Sequence, residues 1–512
     1  MKPSNELFDL IQSLSKSEKR FFKLSSALQA GDKNYLRIFE FVDKQTKYDE
    51  EEVKNHFKKE TFIKHYPSEK NHLYKLILKS LRSYYAEDSI SSILKQEIKN
   101  IDILYKKALF KECNKFLYRA KELAIEHEKF YYLFELLNWE KILLEEAYEE
   151  GEFTKDLDLL IKEEQDTIDK LNNLAAYHVL YSKINYVFRS GGYVRNEEDK
   201  SIVDEISQHP LIMGKNTALS KRAATICYYI QGVCSTAKRD HQVALIKFLR
   251  VKEILDTNKH IRSDLQSRYV RACGSIILTL IDLNKTNEAV KLIEDLRLIV
   301  NEEGFASYDI EVMVFKATYL AQFRLHQQTG NFSKAIDLVE GVMEGLDKYK
   351  NKINKEQELN FLYNISLVFF AIGEYNKSLF WLNKILNDNE QHLRQDIYSY
   401  ARLFNLVVHF ELGNVDLLDY IIKSANRYLS KKNRSFELEN LIMNNMRKLS
   451  KSPTTKVTKE LFLSFGQELN QSLESKEAQV LLEYFDFSTW VKSKVGDLSF
   501  AQLIKEKNKI QG

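Results

Sequence analysis

The sequence predicts an all-α protein, an α-α superhelix of stacked helical hairpins. Three observations carry that prediction. Glycine (16) and proline (4) are scarce in a chain of 512 residues, which argues against the many tight turns of an all-β fold. Apolar residues recur at three- and four-residue steps, the period of a half-buried helix. One turn signature returns along the chain every 40 to 48 residues, and a repeat of that length is the mark of a solenoid.

Composition bounds the function before any motif is considered. Hydrophobic residues at 44% suffice for a large core. Lys+Arg 76 against Asp+Glu 73 leaves a net charge of +3, so the chain as a whole makes no case for nucleic acid or membrane binding. The first residues, "MKPSNELFDLIQSLSKSEKR", contain no apolar run of signal-peptide length. No window approaches the roughly 18 uninterrupted apolar residues of a membrane span. A soluble protein of the reducing cytoplasm is expected. Cys113, Cys227, Cys234 and Cys273 have no CxxC spacing; Cys227 and Cys234 lie seven apart, on one face of a helix, as small core residues would. No metal and no cofactor are expected.

Residues 1–90 form a helical N-terminal unit. "LSKSEKRFFKL" fits a capping box, with Ser15 at the N-cap and Glu18 three residues on. Asp49 to Glu52 in "KYDEEEVKNHF" stand at a helix start, where the dipole favours acids. That role accounts for the acidic run better than a metal site. His56, His65 and His72 read as surface or helix-packing residues. In "EKNHLYKLILKSLRSYY", Lys75, Lys79 and Arg82 make a basic stripe opposite Leu73, Ile77, Leu81 and Tyr84 or Tyr85. Such a stripe could face phosphates, and it is also the ordinary look of a solvated helix. With 17 basic and 14 acidic residues this unit is near charge balance, which favours the solvated helix and leaves nucleic acid only as the alternative partner.

Residues 91–445 carry the repeats. Around "LVFFAIGEYNKSLFWLNKIL", residues 367–386, Leu362, Ile365, Phe369 and Ile372 make one helical stripe upstream of the glycine, and Leu379, Leu382, Ile385 and Leu386 make another downstream. Gly373 between them is expected to turn the chain in the left-handed conformation, with Asn376 capping the second helix. "TGNFSKAIDLVEGV" repeats the pattern at Gly330, and "EGEFTKDLDLL" at Gly151, Phe153 and Asp156. Ala108, Asn284, Arg239 and Gly413 take the turn position in "KALFKECNKFL", "LNKTNEAVKLI", "KRDHQVALIKF" and "LGNVDLLDYII"; Gly191 and Gly192 suggest one more. The residue five beyond each turn is usually small and lets the helices approach. The residue nine beyond lies one turn further along the same buried face. GVMEG, Gly341 to Gly345, implies close helix packing on an amphipathic helix.

Residues 446–512 open with the polar "KLSKSPTTKVTKE" and continue as helix to "FDFSTWVKSKVGDLSF". They are expected to cap the exposed end of the array. Pro67 and Pro453 fall near its two ends and Pro210 in the irregular "QHPLIMGKN", where helices start or stop.

On Gly373, Tyr375, Ser378 and Leu382, and again on Gly330, Phe332, Ala335 and Val339, the pattern resembles the tetratricopeptide repeat family. The resemblance covers roughly residues 95 to 445, with longer repeats than the family's usual 34 and no proline between Pro210 and Pro453. Gly232 alone matches the family's internal small position with a glycine. The match is to a divergent, long-helix branch. The resemblance implies a concave groove lined by the first helix of each hairpin. Transferred by offset from the turns, its facing residues would be Tyr186, Arg189, Tyr229, Arg271, Arg324 and Tyr363. Guanidinium and phenol groups suit ligand capture, one clamping carboxylates and the other adding contact area at small entropic cost.

Phosphate-loop, nucleophile-elbow, zinc-protease, dinucleotide and calcium-loop signatures are missing from the sequence. The expected function is therefore a non-enzymatic scaffold that holds a protein or peptide on the groove. The alternative is a transcription regulator with a DNA-binding N-terminal unit and a sensor array.

Overall fold

A computed structural model describes residues 5–27, 34–149, 157–191, 197–388, 394–431, 437–452, 454–474 and 478–511. Among these residues every regular element is helical and no strand occurs. The chain divides into two compact units, 1–167 and 168–512. Gly151, Phe153, Asp156, Gly192 and Pro453 lie outside the described residues.

The first unit contains α1 (Glu6–Ser13), α2 (Lys16–Ala27), α3 (Asn34–Lys44), α4 (Glu50–His56), α5 (Tyr66–Tyr84), α6 (Ile90–Tyr105), α7 (Phe110–Glu126) and α8 (Phe130–Glu149). The division falls within α9 (Leu157–Gly191). Side chains from Leu7 to Ile77 share one buried cluster, and those from Leu94 to Leu160 share a second. The expected caps are present. The Ser15 hydroxyl accepts from the Glu18 N–H at 3.2 Å while the Glu18 carboxylate accepts from the Ser15 N–H at 2.6 Å. Asp49 accepts from the N–H groups of Glu51 and Glu52, which explains its acidic neighbours without a metal.

The second unit continues with α10 (Glu197–Gln208), α11 (Pro210–Met213), α12 (Lys221–Ala237), α13 (His241–Thr257), α14 (Lys259–Asp264), α15 (Gln266–Asp282) and α16 (Thr286–Leu298). Then come α17 (Tyr308–Thr329), α18 (Phe332–Lys348), α19 (Lys355–Ala371), α20 (Tyr375–Leu386), α21 (Gln395–Glu411) and α22 (Val415–Lys431). The unit ends with α23 (Glu437–Ser450), α24 (Thr455–Ser472), α25 (Phe487–Val495) and α26 (Phe500–Gln511). Within it, α12 pairs with α13, α15 with α16, α17 with α18, α19 with α20 and α21 with α22. First helices also pack on the next first helix, α15 on α17, α17 on α19, α19 on α21 and α21 on α23. One hairpin cannot bury all its apolar surface, so its neighbours complete its core.

The turns follow one backbone recipe. Gly330, Gly373 and Gly413 have φ of +68°, +86° and +74°. Ala108, Arg239 and Asn284 adopt the same left-handed conformation at +57°, +58° and +58° without the help of glycine. At Gly373 its N–H donates to the Phe370 carbonyl and the Glu374 N–H to Phe369, both at 2.9 Å. This is the paired hydrogen-bond closure of a helix C-terminus, and it recurs at 108, 239, 284, 330 and 413. Five residues on, Cys113, Ala244, Ala289, Ala335, Ser378 and Leu418 are all buried. Nine residues on, Leu117, Phe248, Ile293, Leu382 and Ile422 are buried too, while Val339 is only half-buried. Ser378 donates to the Ser366 carbonyl at 2.8 Å, tying α20 to α19.

One expectation needs correction. Asn376 does not cap α20, because the helix begins at Tyr375 with Glu374 at the N-cap position. The left-handed closure at Gly373 brings the chain directly into the second helix, and Asn376 lies within its first turn. The close packing implied by the glycines does occur. A Cβ on Gly345 would overlap the Phe315 ring, one on Gly341 the Tyr319 hydroxyl, and one on Gly232 the Phe248 ring.

Residues 478–511 do more than follow the array. After α24 and a short 3-10 turn (Ala478–Glu483), the chain returns across hairpins laid down long before it. Phe500 packs near Phe332 and Phe370, and α26 lies against α17.

Candidate functional site

A cleft of about 840 Å³ opens in the second unit, lined mainly by first helices and their turns. Tyr229 comes from α12, Asp282 from α15, Arg324 and Gln327 from α17, and Asn364 from α19. Arg239 and His241 enter from the turn after α12 and the start of α13. One wall is the C-terminal segment, through Val480, Glu483 and Tyr484.

The polar centre is a carboxylate between two guanidiniums. Glu483 pairs with Arg324 and, at 3.3 Å, with Arg239. Arg324 also donates to Asp282 at 3.1 Å, and His241 stands 3.6 Å from the same carboxylate. Burial pushes the Glu483 carboxyl up, but the charges of Arg324 and Arg239 outweigh it and hold the group below the usual glutamate range. Arg239 Nη2 and His241 Nδ1 are buried without a hydrogen-bond partner among the described residues.

Beside this centre lies an aromatic floor. Tyr484 stacks on Tyr400 with centroids 3.9 Å apart, donates to Asp396, and accepts at its carbonyl from the Tyr363 hydroxyl at 3.4 Å. Asp396 is gripped in turn by Arg394 through two nitrogens. Phe485 packs on Phe404 at 4.8 Å and on Phe370 at 5.3 Å. The centre is thus an ion pair beside stacked rings; no nucleophile with an adjacent base is among these contacts.

The six residues selected by offset are distributed unevenly. Tyr229, Arg324 and Tyr363 line the cleft, and Tyr363 is covered by Tyr484. Arg271 lies with Tyr229 in a neighbouring recess and donates to the Tyr181 hydroxyl at 2.6 Å. Tyr186 is 70% exposed on α9 and is not among the cleft-lining residues. The Arg189 side chain lies outside the described residues. Glu483, Tyr484, Asp282 and Arg394 went unrecognised in the sequence. Arg239 was identified only as a turn residue, although the same turn aims its side chain at the cleft.

Lys75, Lys79 and Arg82 are exposed on α5, with Leu73 and Ile77 buried behind them. Basic neighbours are matched by acids, Lys70 with Glu50 at 3.0 Å and Arg37 with Glu60 at 2.6 Å. The four cysteines are buried. Burial pushes Cys234 up to about 11 and Cys273 up to about 12, which keeps both thiols protonated and poorly reactive. Among the described residues no histidine, cysteine and carboxylate cluster could hold a metal. No described helix is long and apolar enough to cross a membrane. In comparison with known proteins, neither a family model nor a curated protein sequence matches this chain.

Proposed function

We propose that the hairpins form a tetratricopeptide-like solenoid whose first helices present a groove for a protein or peptide segment. The protein is then a non-enzymatic scaffold. The observation that carries this reading is the cleft itself: its side chains come from successive first helices, and a short 3-10 turn with the residues that follow it already rests against them. Its volume is within the usual range for ligand sites, and its polar groups are few and convergent. Half-buried arginines and tyrosines are the residue types that dominate recognition surfaces.

The test is a peptide-display selection on the full chain, followed by photo-crosslinking of the retained peptides. A photoreactive residue at Leu278, which lines the cleft and is 44% exposed, is expected to capture them. The same residue at Leu298, exposed on α16 away from the cleft, is expected to capture none. Equal capture at both positions, or none at Leu278, overturns the reading.

A further inference from the structure

The C-terminal segment reaches the groove with both a charge and aromatic rings. Glu483 brings a carboxylate to two arginines that lie on different repeats. Tyr484 and Phe485 follow it onto Tyr400, Phe404 and Phe370. A charged clamp beside aromatic anchors is a means by which a receptor holds a peptide.

The segment also lies across an opening that it does not fill. It borders both the 840 Å³ cleft and a second cleft of about 420 Å³. Arg239, His241, Asp282, Arg324, Glu483 and Tyr484 line both. Both are open clefts, so the segment, although its apolar side chains are buried, borders space that a ligand can reach. Arg239 Nη2 and His241 Nδ1, neither of them hydrogen-bonded among the described residues, belong to this same lining and leave donor or acceptor capacity that one glutamate does not use.

We propose that Val480–Phe487 is a built-in stand-in for the partner, and that the face beneath it recognises a peptide with an acidic residue followed by two aromatic residues. The inference rests on the groove reading above, to which it adds the ligand class and a means of regulation. Strap and partner compete for Arg239, Arg324 and the Tyr400–Phe404 floor. The apparent affinity for the partner is the intrinsic affinity reduced by the fraction of molecules whose strap is lifted.

The experiment uses the full chain and a fluorescein-labelled peptide with the sequence of residues 478–488, read by fluorescence polarisation. Glu483→Gln removes the clamp from the strap and leaves every groove residue in place. The E483Q chain is expected to bind the peptide at least tenfold more tightly than the wild type. A peptide with glutamine in place of its glutamate is expected to lose at least tenfold on that chain. Tyr484→Phe, which deletes only the hydroxyl bonded to Asp396, is expected to change affinity in the same direction. Equal affinities for wild type and both variants overturn the proposal, and so does unfolding of both variants by circular dichroism, which would make the strap plain core. If display-selected peptides of other chemistry crosslink at Leu278 while this peptide does not, the ligand class falls and the groove stands. If no peptide crosslinks there in any chain, both fall.

Discussion

Gly330 and Gly373 occupy the same turn of successive hairpins, with left-handed φ of +68° and +86° and the same paired hydrogen bonds. Their surroundings differ completely. A Cβ on Gly373 would meet nothing within 4 Å, whereas one on Gly330 would lie 2.7 Å from the backbone nitrogen of Lys505. At Gly373 the glycine serves the local backbone alone. At Gly330 it also admits α26, which packs on α17 and brings Ile504 to Phe332 and Ala371. One local signal therefore marks two jobs, and only contacts made by residues far along the chain distinguish them.

The largest expected effect breaks that difference open. Gly330→Ala is predicted to destabilise the second unit by about 3 kcal/mol, combining left-handed strain with displacement of α26. Urea unfolding measures it, and a cost equal to that of Gly373→Ala would show that α26 does not bear on the turn. A second prediction isolates the extra part. In a chain ending at Gly496 the Gly330→Ala cost is expected to fall by about 2 kcal/mol, a coupling that a double-mutant cycle reads directly. Gly373→Ala itself is expected to cost only about 1 kcal/mol in either background, since strain is its whole effect. The reverse change comes next in size. Ala108, exposed at φ +57°, should gain roughly 0.5 kcal/mol on replacement by glycine, because relief of strain slightly exceeds the added freedom of the unfolded chain. Loss of stability in Ala108→Gly would mean that its turn carries no strain.

Acid provides the finest probe of the strap that leads to α26. The folded-state pKa of Glu483 is lowered, so its ion pairs stabilise the fold fully above the ordinary glutamate value and progressively less as pH falls through the lowered one. Hydrogen exchange of residues 480–487 should therefore show lost protection on the acid side of about pH 4.3, the ordinary glutamate value, but not at neutral pH. In the E483Q chain this pH dependence should vanish, and its persistence would assign it to another carboxylate.

Much of the array could be read from the residues. Turn positions at Ala108, Arg239, Asn284, Gly330, Gly373 and Gly413 all fall where the structure places left-handed residues, because helix closure is a local event written within six residues. Small residues five beyond the turn are buried for the same local reason, since helical geometry fixes their direction. Asn376 misled because a residue type common at N-caps also occurs inside a first turn, and the backbone closure decides which applies. Of the candidate site, Tyr229, Arg324 and Tyr363 could be located from repeat offsets. The same offsets select Arg271, which lies in the neighbouring recess, and Tyr186, which is exposed on α9.

What the sequence determined by itself is the helical class, the hairpins and their turns, because period, caps and left-handed closures are short-range physics. What the tertiary structure decided is the use of the face those hairpins share. "LLEYFDF" has no period that commits it to either a core or a surface. It became a strap because Arg239 and Arg324, 85 residues apart in the chain, converge on one carboxylate, and because rings from α19 and α21 stand where Tyr484 and Phe485 arrive. Charge pairing and ring stacking act through space, so their partners are fixed only when the chain has folded back on itself.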